Sequence, residues 1–359
     1  MIIKELIAKQ KHVYDLLEDK QSKDIFMGLF NYMITSEYSY IEDFVRKYVV
    51  GYNEMVATIK QKLKELESKK VVVYGVGFSG VNIYSALRDS LHCFCDTYSK
   101  KEVIAMPFGD IPVIKPDKLI ANKNEYVVLV GTLFYYDEVC DYLRSNQVDM
   151  VDINAPELFD NLAELNSQYF DKELIQYADG EVFIDAGCND FRTSELFLRK
   201  CGTVKKILAF EPDAEMYQVC VENSKHIKFA TIHPMGLWCE NTSLSFSRIG
   251  MDGYGSRINS SAIKDDNDTF TVEVCKLDDI LAGSEATFIK MDIEGSELNA
   301  LKGAKETINE FRPKLAISIY HKSDDIFEIP LYIHSIRADY KFYIRHYSGG
   351  RTETVLYAI

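Results

Sequence analysis

The chain has 359 residues, 47% of them hydrophobic and 27% charged, with a net charge of −14. That length suits two folded units plus an extension, and that composition suits ordinary packed cores. The acidic balance argues against a broad phosphate-binding surface, and so against an enzyme that holds nucleic acid by charge.

The eight cysteines include no C-x-x-C pair and read as small core residues in a reducing compartment. The N-terminal stretch to Leu17 is amphipathic and too poor in apolar residues for a signal peptide. No run approaches the length of a membrane span. The expectation is a soluble, cytoplasmic protein with no membrane insertion.

Residues 1 to about 67 read as helices, with Leu16, Leu17, Phe26, Met27, Leu29, Phe30, Tyr32 and Met33 at helical intervals. Their apolar faces serve packing or a homodimer. A strand at Val71–Tyr74 then leads into Gly75-Val76-Gly77-Phe78-Ser79-Gly80 and a helix from Val81. This is a G-x-G-x-x-G in a strand–turn–helix setting. Asp96 ends the next strand, about 20 residues on, where an acid would meet a ribose. Two readings stay open: nucleotide binding, or glycines used only for tight packing. Ile111–Ile114 and Tyr126–Val130 supply further strands. A helical connector with Phe159, Tyr169, Phe170 and Tyr177 follows.

The second unit opens on an apolar strand, Val182–Ile184, that ends in Asp185. A D-x-G-x-N-D turn follows, with Gly187 at its centre, before a helix begun by Thr193 and Ser194. Glycine lets the backbone approach a ligand, and the helix start offers free N–H groups. The turn favours a nucleotide-like ligand without a pyrophosphate, read by Asp185, Asn189 and Asp190. The next strand, Lys206–Phe210, ends in Glu211, which is placed to accept both hydroxyls of a ribose. A third strand over Phe229–Ile232 brings Gly236 towards the nucleobase. Leu244–Phe246 and Thr269–Val274 read as an antiparallel insertion around a loop with Gly250, Gly253 and Gly255, either a loop that closes on substrate or a plain surface loop.

The second informative stretch is Thr287–Glu297, TFIKMDIEGSE. A strand, Phe288–Met291, ends in Asp292, with Glu294, Gly295 and Glu297 at the next helix start. Lys290 and Asp292 share one face of the strand. A Lys in a strand buried on both faces needs a partner. The strand from Lys314 ends in His321, which should lie beside Asp292 as a general-base candidate. Phe342–His346 and Thr354–Ile359 form a closing antiparallel pair.

Strand-end acids in this order resemble a class I S-adenosylmethionine-dependent methyltransferase, and more narrowly the FkbM family. The residues that carry the likeness are FIDAGCND with Thr193, LAFEPD from Leu208, Asn223, CKLDDIL from Cys275, IKMDIEGSELNALKGA from Ile289, and RPKLAISIYHK from Arg312 into Glu328-Ile329-Pro330. The resemblance implies an α/β protein of two Rossmann-like three-layer units plus N-terminal helices. Its boundaries are a helical region at 1–67, a small Rossmann-like module at 68–153, a helical connector at 154–178 and a class I methyltransferase domain at 179–359. That last domain would hold a seven-stranded sheet with an antiparallel last strand. Phe191 stands where the family often has Gly, which implies a differently shaped turn.

The implied activity is methyl transfer from S-adenosyl-L-methionine to a hydroxyl of a sugar or glycan-related acceptor, in bacterial polysaccharide or natural-product biosynthesis. The implied cofactor residues are Asp185, Gly187, Cys188, Asn189, Asp190, Thr193, Glu211 and Gly236. Asp292 or His321 would take the acceptor proton, Lys290 would orient the acceptor, and Glu294 and Glu297 would fix the geometry. A divalent metal at Asp292 and nearby carboxylates, as in some small-molecule O-methyltransferases, stays open, but no complete ligand set is readable and no metal residue is assigned. Two rival readings are a nicotinamide oxidoreductase built on Gly75–Gly80, and a non-catalytic scaffold in which Phe191 blocks the cofactor.

Overall fold

The computed structural model describes residues 2–66, 69–106, 108–133, 135–247, 257–258 and 269–359. The chain divides into two compact units. One comprises Met1–Phe26, Ser167–Arg345 and Glu353–Ile359, and the other Met27–Asn166 and His346–Thr352. These units cut across the boundaries read at about 67, 153 and 178. The first helix groups with the C-terminal residues, and the start of the connector groups with the N-terminal ones.

In the N-terminal unit, strands β1 (Lys70–Tyr74), β2 (Cys93–Cys95), β3 (Val103–Met106), β4 (Gly109–Ile114) and β5 (Tyr126–Val130) form one sheet in the order β3-β4-β2-β1-β5. The neighbours β4-β2-β1-β5 run parallel, and β3 closes the edge as an antiparallel hairpin with β4. That is the strand order of half a doubly wound fold. The β3 edge gave no clear alternation in sequence. Val72, Cys93, Cys95 and Val128 pack in its core.

The glycine turn of this unit is tightly packed. Gly75 has φ +111°, and a Cβ on Gly80 would lie 2.1 Å from the Gly75 carbonyl oxygen. The Asp96 carboxylate accepts backbone N–H bonds from Val76 (3.0 Å), Tyr98 (2.8 Å) and Ser99 (2.6 Å), which help to build the turn. Of the two readings left open, this favours the structural one.

In the C-terminal unit, seven strands form a sheet: β6 (Glu181–Ala186), β7 (Val204–Phe210), β8 (Ala230–His233), β13 (Phe288–Met291), β14 (Lys314–Ser318), β15 (Phe342–His346) and β16 (Thr354–Ala358). Their order is β15-β16-β14-β13-β6-β7-β8. The five from β14 to β8 run parallel, and β16 runs antiparallel to β14. Lys341 and Ile359 exchange both backbone hydrogen bonds, the mark of an antiparallel β15–β16 pair. The sequence expectation of a reversed last strand is met. β6 and β13 are buried at every residue, as expected where helices cover both faces. Phe183 stacks on Phe197 at 4.1 Å, with Phe170 and Phe288 edge-on or tilted around them.

The helix Ile2–Leu16 belongs to this unit. It packs on the helix Asp325–Ile336, with Lys9 paired to Glu328 at 2.6 Å. A smaller sheet in the order β11-β10-β12-β9 joins β9 (Gly236–Leu237), β10 (Thr242–Ser247), β11 (Arg257–Ile258) and β12 (Thr269–Cys275). β10 and β12 pair antiparallel, as the insertion was read. Its loop glycines, Gly250, Gly253 and Gly255, lie outside the described residues. Among the described residues no helix is long and apolar enough to cross a membrane. All eight cysteines are free, and all but Cys239 are buried.

Candidate active site

Parallel strands deliver their C-terminal ends to one edge of the sheet, and the site is built there. The turn after β6 is set by close approach. Gly187 has φ +75°, and a Cβ on it would lie 2.0 Å from the Asp292 carbonyl oxygen. Asp292 N–H donates back to the Ala186 carbonyl at 3.1 Å, so the ends of β6 and β13 are locked together. Phe191 has φ +73°, the left-handed region that glycine enters freely and a bulky residue rarely does. Its ring is fully buried and is not part of the cleft wall, so it does not block the cleft.

Beneath the turn lies a buried ion pair. Lys290 Nζ is 3.0 Å from Asp185 Oδ1, with side-chain exposures of 2% and 0%. Ser194 Oγ donates to Asp185 Oδ2 at 2.7 Å. Lys290 also donates to the carbonyls of Gly187 (2.7 Å) and Ala186 (3.2 Å). Burial alone would lower the Lys290 pKa, but Asp185 and Asp292 outweigh it and hold the ammonium charged. Both residues were expected to touch ligands, Asp185 the cofactor and Lys290 the acceptor. Instead they satisfy each other and fix the turn. The sequence reading missed this because it placed Lys290 with Asp292 on one face without asking which strand-neighbour it meets. The β6–β13 register pairs Lys290 directly with Asp185.

A cleft opens above the turn, entirely within the C-terminal unit. Gly187, Asn189, Glu211 and Gly236 line it, as expected for cofactor residues, with Asp213 and Met216 beside them. Phe246, Val272 and Val274 of the small sheet give it an apolar wall. Cys188, Asp190 and Thr193 do not line it. Cys188 faces Cys220 inside the unit, with the sulfurs 3.1 Å apart. Asp190 caps Arg192 N–H at 3.0 Å, and Thr193 sits half-buried on the helix. Glu211 is nearly buried, and its two oxygens accept N–H from Asn189 (3.0 Å) and Asp213 (2.9 Å). Burial pushes its carboxyl up to about 7 despite those bonds.

At the far end, Asp292 and Glu294 line the same cleft. His321 stands beside them as the β14–β13 adjacency requires. Its Nδ1 is 2.9 Å from Glu297 Oε1, and its Nε2 is 3.3 Å from Asp292 Oδ1 and 3.5 Å from Glu294 Oε2. Burial opposes the imidazolium, but the surrounding carboxylates, Glu297 first, raise its pKa to about 10. A histidine already holding its proton cannot take another, so this form of His321 does not act as a base. Asp292 is also pushed up by burial. His321, Lys290 and hydrogen bonds from Tyr169 and Tyr320 push harder the other way, and it stays below its ordinary range.

Tyr169 OH donates to Asp292 Oδ2 at 2.6 Å and Tyr320 OH to Oδ1 at 3.2 Å. Glu353 is tied to the same cluster through Gln168, which donates to both Glu353 (2.5 Å) and the Tyr169 hydroxyl (3.0 Å). None of these four was a sequence candidate. Tyr320 adjoins His321 at a strand tip and was legible in principle. Tyr169 and Glu353 arrive from a connector and a hairpin loop, where no periodicity marks them.

Residues 180–342 match the family model described as the methyltransferase FkbM domain. No curated protein matches the chain. Among solved structures, the methyltransferase FkbM from Methylobacillus flagellatus is similar at 19% identity, over 95% of this chain and 99% of that one, with a TM-score of 0.49. An rRNA methylase from Streptococcus thermophilus is similar at 14% identity over 51% and 87% of the two chains (TM-score 0.32). The N-terminal domain of human METTL16, in complex with SAH, is similar at 13% over 72% and 88% (TM-score 0.29). Residues 180–342 thus form a methyltransferase domain of the FkbM family, and the chain is a methyltransferase.

Proposed function

We propose that the protein transfers a methyl group from S-adenosylmethionine to a hydroxyl of a sugar or glycan-related acceptor, with the cytoplasm as its compartment. The observation that carries this reading is one cleft with an acid at each end: Glu211 at the tip of β7 and Asp292 at the tip of β13, with an apolar wall between. The residues present fit the cofactor. Gly187 and Asn189 of the turn line the cleft, and Glu211 lines it where a ribose diol would donate to it.

When bound, S-adenosylmethionine supplies a methyl group already activated by its sulfonium. Glu211 would accept the ribose hydroxyls, and Met216, Phe246 and Val274 would cover the base. Asp185 and Lys290 hold the turn rigid from below. Asp292 faces the cleft as a carboxylate held below its ordinary range. It would accept the hydrogen bond of the acceptor hydroxyl and take its proton as the new C–O bond forms. The His321 imidazolium keeps that carboxylate ionised and oriented. The enzyme's part is alignment and water exclusion.

The test is transfer of a radiolabelled methyl group into sugars and glycan precursors. Alkali-stable label in an acceptor, lost in Asp292→Asn, supports the reading. Label confined to protein, RNA or carboxyl groups overturns it.

A further inference from the structure

We propose that Asp292, Glu294 and His321 form a binding site for a first-row divalent metal ion at the cleft floor, with Glu297 as the group that orients His321. The proposal rests on the methyl-transfer reading of the same cleft.

Asp292, Glu297 and His321 each offer a ligand atom, and these atoms all lie within 4.8 Å of one another. They do not play equal parts. Glu297 is fully buried, and its Oε1 accepts Ile293 N–H at 2.9 Å while lying 2.9 Å from His321 Nδ1. That contact sets Nδ1 against Glu297 and leaves Nε2 facing Asp292 and Glu294, so a bound ion would replace the Nε2 proton of the imidazolium and release it to solvent. A carboxylate holding one ring nitrogen so that the other can bind metal is the usual support for a histidine ligand.

The spacing also fits. Nε2 lies 3.3 Å from Asp292 Oδ1 and 3.5 Å from Glu294 Oε2. Ligands bound at about 2.1 Å and at right angles are about 3 Å apart, so small side-chain shifts would close the set. Neither ring nitrogen of His321 makes a well-aligned hydrogen bond, although the side chain is only 9% exposed. Glu297 Oε2 is likewise buried without a hydrogen-bond partner. Asp292 is braced by the Tyr169 and Tyr320 hydroxyls, as metal-binding carboxylates commonly are.

Asp292 and Glu294 line the cleft, so the remaining coordination positions would face it. An oxygen of the acceptor bound there would be polarised and made easier to deprotonate. Two carboxylates and one imidazole suit manganese, iron or zinc better than a thiolate-seeking ion.

The full chain, stripped with chelator and desalted, should be titrated with MnCl2 while the paramagnetic resonance signal of free Mn2+ is followed. A parallel titration with Zn2+ would use a chromophoric chelator as competitor. The expected result is one ion per chain, bound at about 10⁻⁴ M or tighter. Glu294→Gln and His321→Ala should each abolish it, and Glu297→Gln should weaken it about 10- to 100-fold. Urea unfolding followed by Trp238 fluorescence reports whether each variant is folded, and S-adenosylhomocysteine binding is measured separately. Retention of neither ion, or retention unchanged in folded Glu294→Gln, overturns the proposal. Cofactor binding without metal would sink the metal site alone. Metal binding without cofactor binding would sink the methyl-transfer reading alone.

Discussion

Replacing Lys290 by Met removes a charge but keeps most of the side-chain volume. Asp185 would then be left as an unpaired carboxylate at 0% exposure, and the carbonyls of Ala186 and Gly187 would each lose a donor. Breaking a buried pair from one side costs about 3–5 kcal/mol. The orphaned carbonyls bring the expectation to the upper half of that range. For a unit of this size that is a fall in Tm of about 8–20 °C.

The single tryptophan, Trp238, lies in the C-terminal unit, so its fluorescence during urea unfolding reports that unit. Asp185→Asn with Lys290→Met should recover more than half of the loss, because the uncompensated charge is gone. A cost below about 1 kcal/mol for Lys290→Met, with a raised acceptor KM, would refute the pairing argument. It would return Lys290 to the acceptor, as its sequence position first suggested.

Other outcomes follow from the same geometry. Gly187→Ala would force its Cβ into the Asp292 carbonyl. It should destabilise the C-terminal unit in urea and, through the displaced turn, weaken cofactor binding measured calorimetrically. Phe191→Gly would relieve the left-handed backbone by about 1 kcal/mol but empty a fully buried ring site, so urea unfolding should show a net loss of about 2–4 kcal/mol. The Glu211 carboxyl is raised by burial to about 7, above its unfolded value. The folded state then binds more protons between the two values, so its contribution to stability is present below about 4.5 and lost as pH rises through 7. Ribose hydroxyls donate to the ionised form. Cofactor affinity should therefore rise between about pH 6 and 8, with one proton released, measurable in buffers of different ionisation enthalpy.

The parallel core was legible because strands buried on both faces read as unbroken apolar runs ending in acids. Asp292 and His321 were brought together as expected, since adjacent parallel strands carry their tips to one edge. What the sequence hid was the direction of charge. Lys290 reads as a buried cation aimed at the acceptor until the register with β6 places it opposite Asp185. His321 looks like a base until three carboxylates close around it. Tyr169 and Glu353 were invisible because their roles depend on where a connector and a hairpin loop land. The N-terminal G-x-G-x-x-G matched its pattern in full, and its residues build a tight turn braced by backbone N–H bonds to Asp96. A fingerprint specifies backbone shape more strongly than it specifies a ligand.

Titration calorimetry with S-adenosylmethionine, comparing the native chain with Glu211→Ala, tests the central claim most directly. The account predicts micromolar binding to one site, reduced at least about tenfold, or by 1.4 kcal/mol, in the variant. Absence of binding to the native chain, or binding untouched by Glu211→Ala, would contradict it.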